Sequence, residues 1–125
     1  MALNLSETYL HLIGETEARE IPVGPDFWPR IGERTELHAH RMLMRFDFTG
    51  DWPTWEIHPD GDEVVVMLTG EMTLIIDRAD GHERQHLSAG EAAVIPRGHW
   101  HTADIAAPCS AIFLTHGRGT ENKPR

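Results

Sequence analysis

The clearest pattern in the chain is an alternation over residues 37–49. The even positions carry His38, His40, Met42, Met44, Phe46 and Phe48, and the odd positions carry Leu37, Ala39, Arg41, Leu43, Arg45 and Asp47. Side chains on a strand alternate between faces, so this period of two predicts a strand with its even face toward a core. Shorter runs follow at 53–58, 63–69, 71–77, 82–87, 91–96, 100–106 and 109–115. Between them lie turn sequences such as Pro59-Asp60-Gly61-Asp62 and Arg78-Ala79-Asp80-Gly81, where proline presets φ and glycine accepts a positive φ. Many short strands with turn signals and no long helical period predict an all-β fold, an antiparallel sandwich or barrel.

The segment before this pattern is less regular. Residues 3–13 admit a short helix, with Ser6 as its cap ahead of Glu7, Tyr9, Leu10 and Ile13. From Thr16 to Arg34, Pro22, Gly24, Pro25, Pro29 and Gly32 punctuate the chain, and Ile21 and Val23 alternate only briefly. That composition suits a short strand or arm, with Phe27 and Trp28 tucked into a groove. The expected organisation is therefore one domain: residues 1–36 as an N-terminal helix or arm packing on the barrel or on a partner subunit, 37–116 as the barrel, and 117–125 as a polar, frayed tail.

Composition narrows the function classes. The chain has 125 residues, and 40% hydrophobic content gives one small core, which a homodimer would help to cover. Twenty acidic against 11 basic residues leave a formal charge of −9, which disfavours nucleic acid and anionic membrane as partners. One cysteine, Cys109, can form no internal disulfide, and no apolar run approaches membrane length. A cytoplasmic protein acting on a small-molecule ligand or substrate is the expectation.

The chemistry concentrates in two stretches. Gly50 to Gly70 contains Glu56, His58 and Glu63, and Gly90 to His101 ends in Pro96-Arg97-Gly98-His99-Trp100-His101. Glu56 and His58 are two residues apart and share a strand face, and the turn at 59–62 returns Glu63 toward the same side. If the second stretch pairs alongside, His101 joins them. Two carboxylates with two imidazoles suit a divalent transition metal better than calcium, which prefers oxygen alone. The other reading of these four is polar side chains on exposed strand faces.

These residues carry a family resemblance. The first stretch resembles the first cupin motif, G-x5-H-x-H-x4-E-x6-G, through Gly50, position 56, His58, Glu63 and Gly70. The second resembles the second motif, G-x5-P-x-G-x2-H-x3-N, through Gly90, Pro96, Gly98 and His101. Two positions depart: Glu56 stands where the motif has its first histidine, and Ile105 where it has its closing asparagine. The resemblance implies a cupin-type double-stranded β-helix, or jelly-roll barrel. It also implies a metal (Fe, Mn, Ni or Zn) on Glu56, His58, Glu63 and His101, and a dioxygenase- or isomerase-like reaction on a small oxygenated or acidic molecule. A non-catalytic metal- or metabolite-sensing module is the alternative, because one barrel hosts many chemistries.

Two further residues are candidates for catalysis. His40, on the even face with Met42 and Met44, would line the pocket mouth as a substrate contact or proton carrier; otherwise it sits hydrogen-bonded at the open strand end. Arg97 is the cation expected beside the site, placed either to meet a substrate carboxylate or as a solvated loop residue.

Overall fold

The computed structural model describes residues 1–125. Eleven strands are joined by turns and by two 3-10 turns at Ile31–Glu33 and Thr35–Leu37: β1 Thr8–Ile13, β2 Glu17–Pro22, β3 Arg41–Phe48, β4 Thr54–Ile57, β5 Glu63–Thr69, β6 Glu71–Arg78, β7 Gly81–Ser88, β8 Ala92–Ile95, β9 His101–Asp104, β10 Cys109–Thr115 and β11 Glu121–Pro124. They form two antiparallel sheets, one ordered β2-β1-β3-β10-β5-β8 and the other β11-β4-β9-β6-β7. No helix is long and apolar enough to cross a membrane.

The core lies between the sheets. β3 supplies Met42 and Met44, β5 Val65 and Met67, β6 Met72, Leu74 and Ile76, and β10 Ala111 and Phe113, all buried. Alternation is therefore real on β3, where the even face is inward as the pattern predicts. On β5 it is masked by Val64-Val65-Val66, because the outward face is apolar too. Leu10, Leu43, Leu114, Val64 and Val94 sit in one register row across five strands on that outer face.

Three expectations change. The segment 3–13 is no helix: β1 begins at Thr8 and pairs with both β2 and β3, because Tyr9 and His11 bury one strand face. The N-terminal unit is thus a hairpin arm. Phe27 from the arm is buried edge-on to Tyr9, and Trp28 donates its indole N–H to the Tyr9 hydroxyl. Second, the strand expected from residue 37 starts only at Arg41, since Thr35–Leu37 closes a 3-10 turn and His40 takes a positive φ of 63°. Third, the tail expected to fray carries β11, which pairs with β4 and is anchored by Arg125 on Asp104 and on the Trp52 and Ala103 carbonyls.

Gly70 closes the β5–β6 turn at φ +71°, and a Cβ there would lie 2.8 Å from Cys109 Cβ and 3.1 Å from the Pro108 carbonyl oxygen. Left-handed backbone and overpacking act together at this point, so Gly70→Ala is expected to cost about 2–4 kcal/mol. Chemical denaturation measures it; a variant as stable as the parent would show that the turn can re-form without that conformation.

Candidate metal centre

Four side chains from four places in the chain meet at one end of the barrel. Glu56 on β4 lies directly across from His101 on β9, so both project from the same face of the five-stranded sheet. Glu63 begins β5 and enters from the opposite sheet. His58 sits between them on the crossing that links β4 to β5. Two hydrogen bonds tie that crossing to the turn before β9: Gly98 N–H donates to the His58 carbonyl at 3.0 Å, and Arg97 N–H to Asp62 Oδ1 at 2.9 Å. Asp62 thus does more than shape its own turn.

The heads of these side chains converge. His58 Nε2 lies 3.2 Å from Glu63 Oε2 and 3.7 Å from Glu56 Oε2, and His101 Nε2 lies 3.2 Å from Glu63 Oε1 and 3.9 Å from Glu56 Oε2. Ligands held at about 2.1 Å around one ion stand roughly 3.0–3.4 Å apart when adjacent, and up to about 4.2 Å when opposed. Glu56, His58 and His101 form a possible metal-binding group with all donor atoms within 4.8 Å of one another. Glu63 is outside that group but adjoins it, with Oε1 beside His101 Nε2 and Oε2 beside His58 Nε2, each at 3.2 Å.

The hydrogen-bond inventory supports the fit. His58 Nε2, His101 Nε2 and Glu63 Oε1 are buried and have no hydrogen-bond partner, an expensive state unless a cation completes them. Their other atoms are all engaged. His101 Nδ1 meets the His99 carbonyl, which can only accept, so Nδ1 carries a proton and, in the neutral ring, Nε2 is the nitrogen open to a metal. Glu63 Oε2 accepts from the Thr115 hydroxyl, which leaves Oε1 aimed inward. These outer contacts fix the orientation of the donors.

Electrostatics make the same demand. Burial works against a charged His58, but Glu56 and Glu63 outweigh it and raise its pKa to about 10. Burial likewise opposes ionised Glu63, and the two imidazoles overcome it, lowering its pKa to about 2. The cluster holds a proton where a divalent ion would otherwise balance the carboxylates.

A cavity of about 950 Å³ opens onto this cluster. Glu56, His58 and Glu63 are at its floor, and its walls include Met42, Met44, Phe46, Phe48, Trp52 and Phe113. Glu56 is the accessible member of the set at 31%, against 4% for His58, 3% for Glu63 and 0% for His101. No lysine or arginine lines the cavity, whereas Asp47 and Asp51 do.

The two residues expected to assist catalysis lie elsewhere. His40 is exposed; its positive φ turns it out of the alternation, Gly14 N–H donates to its Nδ1, and its ring meets His11 at 6.1 Å in a separate hollow. Arg97 is exposed and leans on Asp62 at 3.6 Å, outside the cavity wall. It is His38 that lines the cavity, with Nε2 donating to the Ile31 carbonyl. Thr115 escaped the sequence reading, although it follows Phe113 on the inward face of β10 and period two would have found it. Thr120 and Asn122, also at the cavity, carry no pattern that signals them.

A pH dependence follows. The stabilisation from raised His58 is complete below its ordinary 6.5 and is lost as pH climbs toward about 10; that from lowered Glu63 is complete above its ordinary 4.5 and is lost as pH falls toward about 2. The metal-free cluster is thus most stabilising from pH 4.5 to 6.5. A metal competes with the His58 proton, so the Tm gap between Mn(II)-loaded and chelator-treated protein should widen from about pH 6 to about pH 8.5. Thermal melts at stepped pH check this; a constant or shrinking gap contradicts the assignment.

The chain can be set beside known proteins. The sequence model described as the cupin domain matches residues 42–115, more than half of the chain. Among curated proteins, "Uncharacterized protein YdbB" of Bacillus subtilis is 43% identical over 67 residues, 54% of this chain and 55% of that one. "Endoribonuclease YbeY" of Myxococcus xanthus is 40% identical over 68 residues, covering 54% of this chain and 22% of that protein. The chain therefore spans about half and about a fifth of these relatives' own lengths. Among solved structures, protein NMB1881 from Neisseria meningitidis superposes with a TM-score of 0.52 at 25% identity, over 60% of this chain and 72% of that one. A cupin-2 domain protein from Shewanella frigidimarina gives 0.52 at 25% identity over 68% and 71%. An oxalate oxidase gives 0.55 at 23% over 64% and 44%, a likeness of fold alone. With both sheets, the paired motifs and the family match in agreement, the chain belongs to the cupin domain family.

Proposed function

We propose that the chain is a metal-dependent enzyme, dioxygenase- or isomerase-like, acting on a small oxygenated molecule with an apolar body. The observation that carries this reading is that Glu56, His58 and His101 form a metal-capable group, and that Glu56 and His58, with Glu63 beside them, line an aromatic- and methionine-rich cavity. Glu56, His58, Glu63 and His101 would hold Fe(II), Mn(II), Ni(II) or Zn(II). Such a metal supplies Lewis-acid polarisation of a bound oxygen and, in the case of iron, chemistry with dioxygen.

The chain's own residues set what can react. Two carboxylates among the donors nearly neutralise a divalent charge and weaken its pull on water, which favours enolate or oxygen chemistry over hydrolysis. Glu56 is the donor that solvent and substrate can reach, so its carboxylate is the group placed to take a hydroxyl proton from an incoming molecule. Phe46, Phe48 and Phe113 give the cavity an aromatic wall against which a flat substrate can pack. With no cation on the wall and Asp47 and Asp51 near it, an uncharged substrate is favoured over the acidic alternative. The same charge balance gives no support for RNA, despite the name of one relative.

A binding module without turnover is the second reading, and the displacement of His40 and Arg97 from the cavity favours it. Elemental analysis of protein purified without chelator, followed by titration with catechol and with oxalate, separates the readings. The enzyme reading expects stoichiometric metal, tight binding of the neutral catechol with oxalate at least about 10-fold weaker, and oxygen uptake or isomerisation on a subset of such oxygenated ligands. Metal-free protein, or preferential binding of oxalate, would overturn it; metal and ligand binding with no turnover across such a set would leave the binder.

A further inference from the structure

The C-terminal segment Gly117 to Arg125 lies beyond the residues that the family model matches, yet it touches the metal centre. The Thr120 hydroxyl oxygen is 2.8 Å from His58 Nδ1 and 2.8 Å from the Gly117 carbonyl oxygen. A carbonyl only accepts, so the single hydroxyl proton of Thr120 goes to Gly117. The lone pair left on Thr120 must then accept from His58, which requires the proton on Nδ1. In the neutral imidazole this leaves the lone pair on His58 Nε2, one of the buried atoms without a partner that face the cluster.

The rest of the segment holds this hydroxyl in place. Gly119, at φ +74°, lets the chain press against the turn that follows His58; a Cβ there would come within 2.9 Å of Pro59 Cγ. β11 then pairs along β4, with Asn122 opposite Glu56, so the strand bearing a second donor is backed by the same segment. At its end Arg125 donates to the Trp52 and Ala103 carbonyls and pairs with Asp104 at 2.7 Å. Lys123 adds an ammonium 4.3 Å from the Trp100 ring centroid. The segment is buckled at both ends across the strand that carries Glu56.

From this geometry we infer that residues 117–125 form a clasp that completes the metal centre, with Thr120 as the positioning residue that fixes the tautomer and direction of the His58 imidazole. The inference rests on the reading of the cluster as a metal site. A histidine donor held by a polar partner on its far nitrogen loses roughly 10- to 100-fold in metal affinity when that partner is removed.

The test uses full-length protein and Co(II) alone as the probe, comparing the parent with Thr120→Val, Thr120→Ala and Thr120→Ser. Dissociation constants come from competition with a chelator, and the visible Co(II) spectrum reports donor geometry. The clasp predicts about 10- to 100-fold weaker Co(II) binding and an altered spectrum in the Val and Ala variants, with both restored in Ser. Removing the hydroxyl also leaves His58 Nδ1–H unpaired, so the metal-free Val and Ala variants should melt a few degrees lower yet stay fully folded at the titration temperature, which separates positioning from folding. Equal Co(II) affinity and an unchanged spectrum in Thr120→Val or Thr120→Ala would overturn the clasp while leaving the metal centre standing. Loss of binding in Thr120→Ser as well would show that the hydroxyl is not what matters, and would overturn it too. Parent protein that takes up no Co(II) would remove the metal reading and the clasp together.

Discussion

Two carboxylates and two imidazoles are packed at 3.2–3.9 Å, and three of the four are almost wholly shut off from solvent. Water cannot screen charges at that depth, and burying a charge without a counter-charge is prohibitive. A proton on His58 meets the requirement incompletely, because His101 Nε2 and Glu63 Oε1 still lack partners. A divalent cation meets it fully. Much of the architecture at this end of the barrel reads as the means of keeping the four groups together against their tendency to seek water.

The means are distributed. β4 and β9 set Glu56 against His101 by ladder register, and β5 brings Glu63 from the other sheet. The crossing that bears His58 is pinned by Gly98 and Asp62, the outer faces of the imidazoles by Thr120 and the His99 carbonyl, and Glu63 by Thr115. His58, His101 and Glu63 therefore each have one side-chain atom fixed by the fold and the other free, while Glu56 is placed by its strand register alone. That division of these three groups between a structural and a chemical partner distinguishes this end of the barrel from ordinary buried polar clusters, in which both ends are satisfied. The cavity beside the cluster is lined by Phe46, Phe48, Trp52 and Phe113.

How much of this could be read from the chain depended on whether the signal was local. Period two on β3, the turn at Pro59–Asp62 and the spacing of Glu56, His58 and Glu63 are local, and β5 and β10 have the bounds that the pattern gives them. The strand status of residues 8–13 was not legible, since Tyr9 and His11 bury their face against partners distant in sequence, among them Phe27, Trp28, Ala39 and β3. His40 failed for a conformational reason: one left-handed residue broke an alternation that continued smoothly on paper. Arg97 failed because Asp62, read as a turn residue, draws it to the surface. Thr120 and β11 left no trace in the pattern because their partners lie some sixty residues away in β4 and its following loop.

Anomalous scattering from a crystal grown with Mn(II) or Fe(II) and measured above the absorption edge tests the central claim most directly. The account predicts one strong peak within about 2.3 Å of both imidazole Nε2 atoms and of a carboxylate oxygen from each of Glu56 and Glu63. A peak bound elsewhere on the surface, with His58 and Glu63 in direct hydrogen-bonded contact and no ion between them, would contradict it.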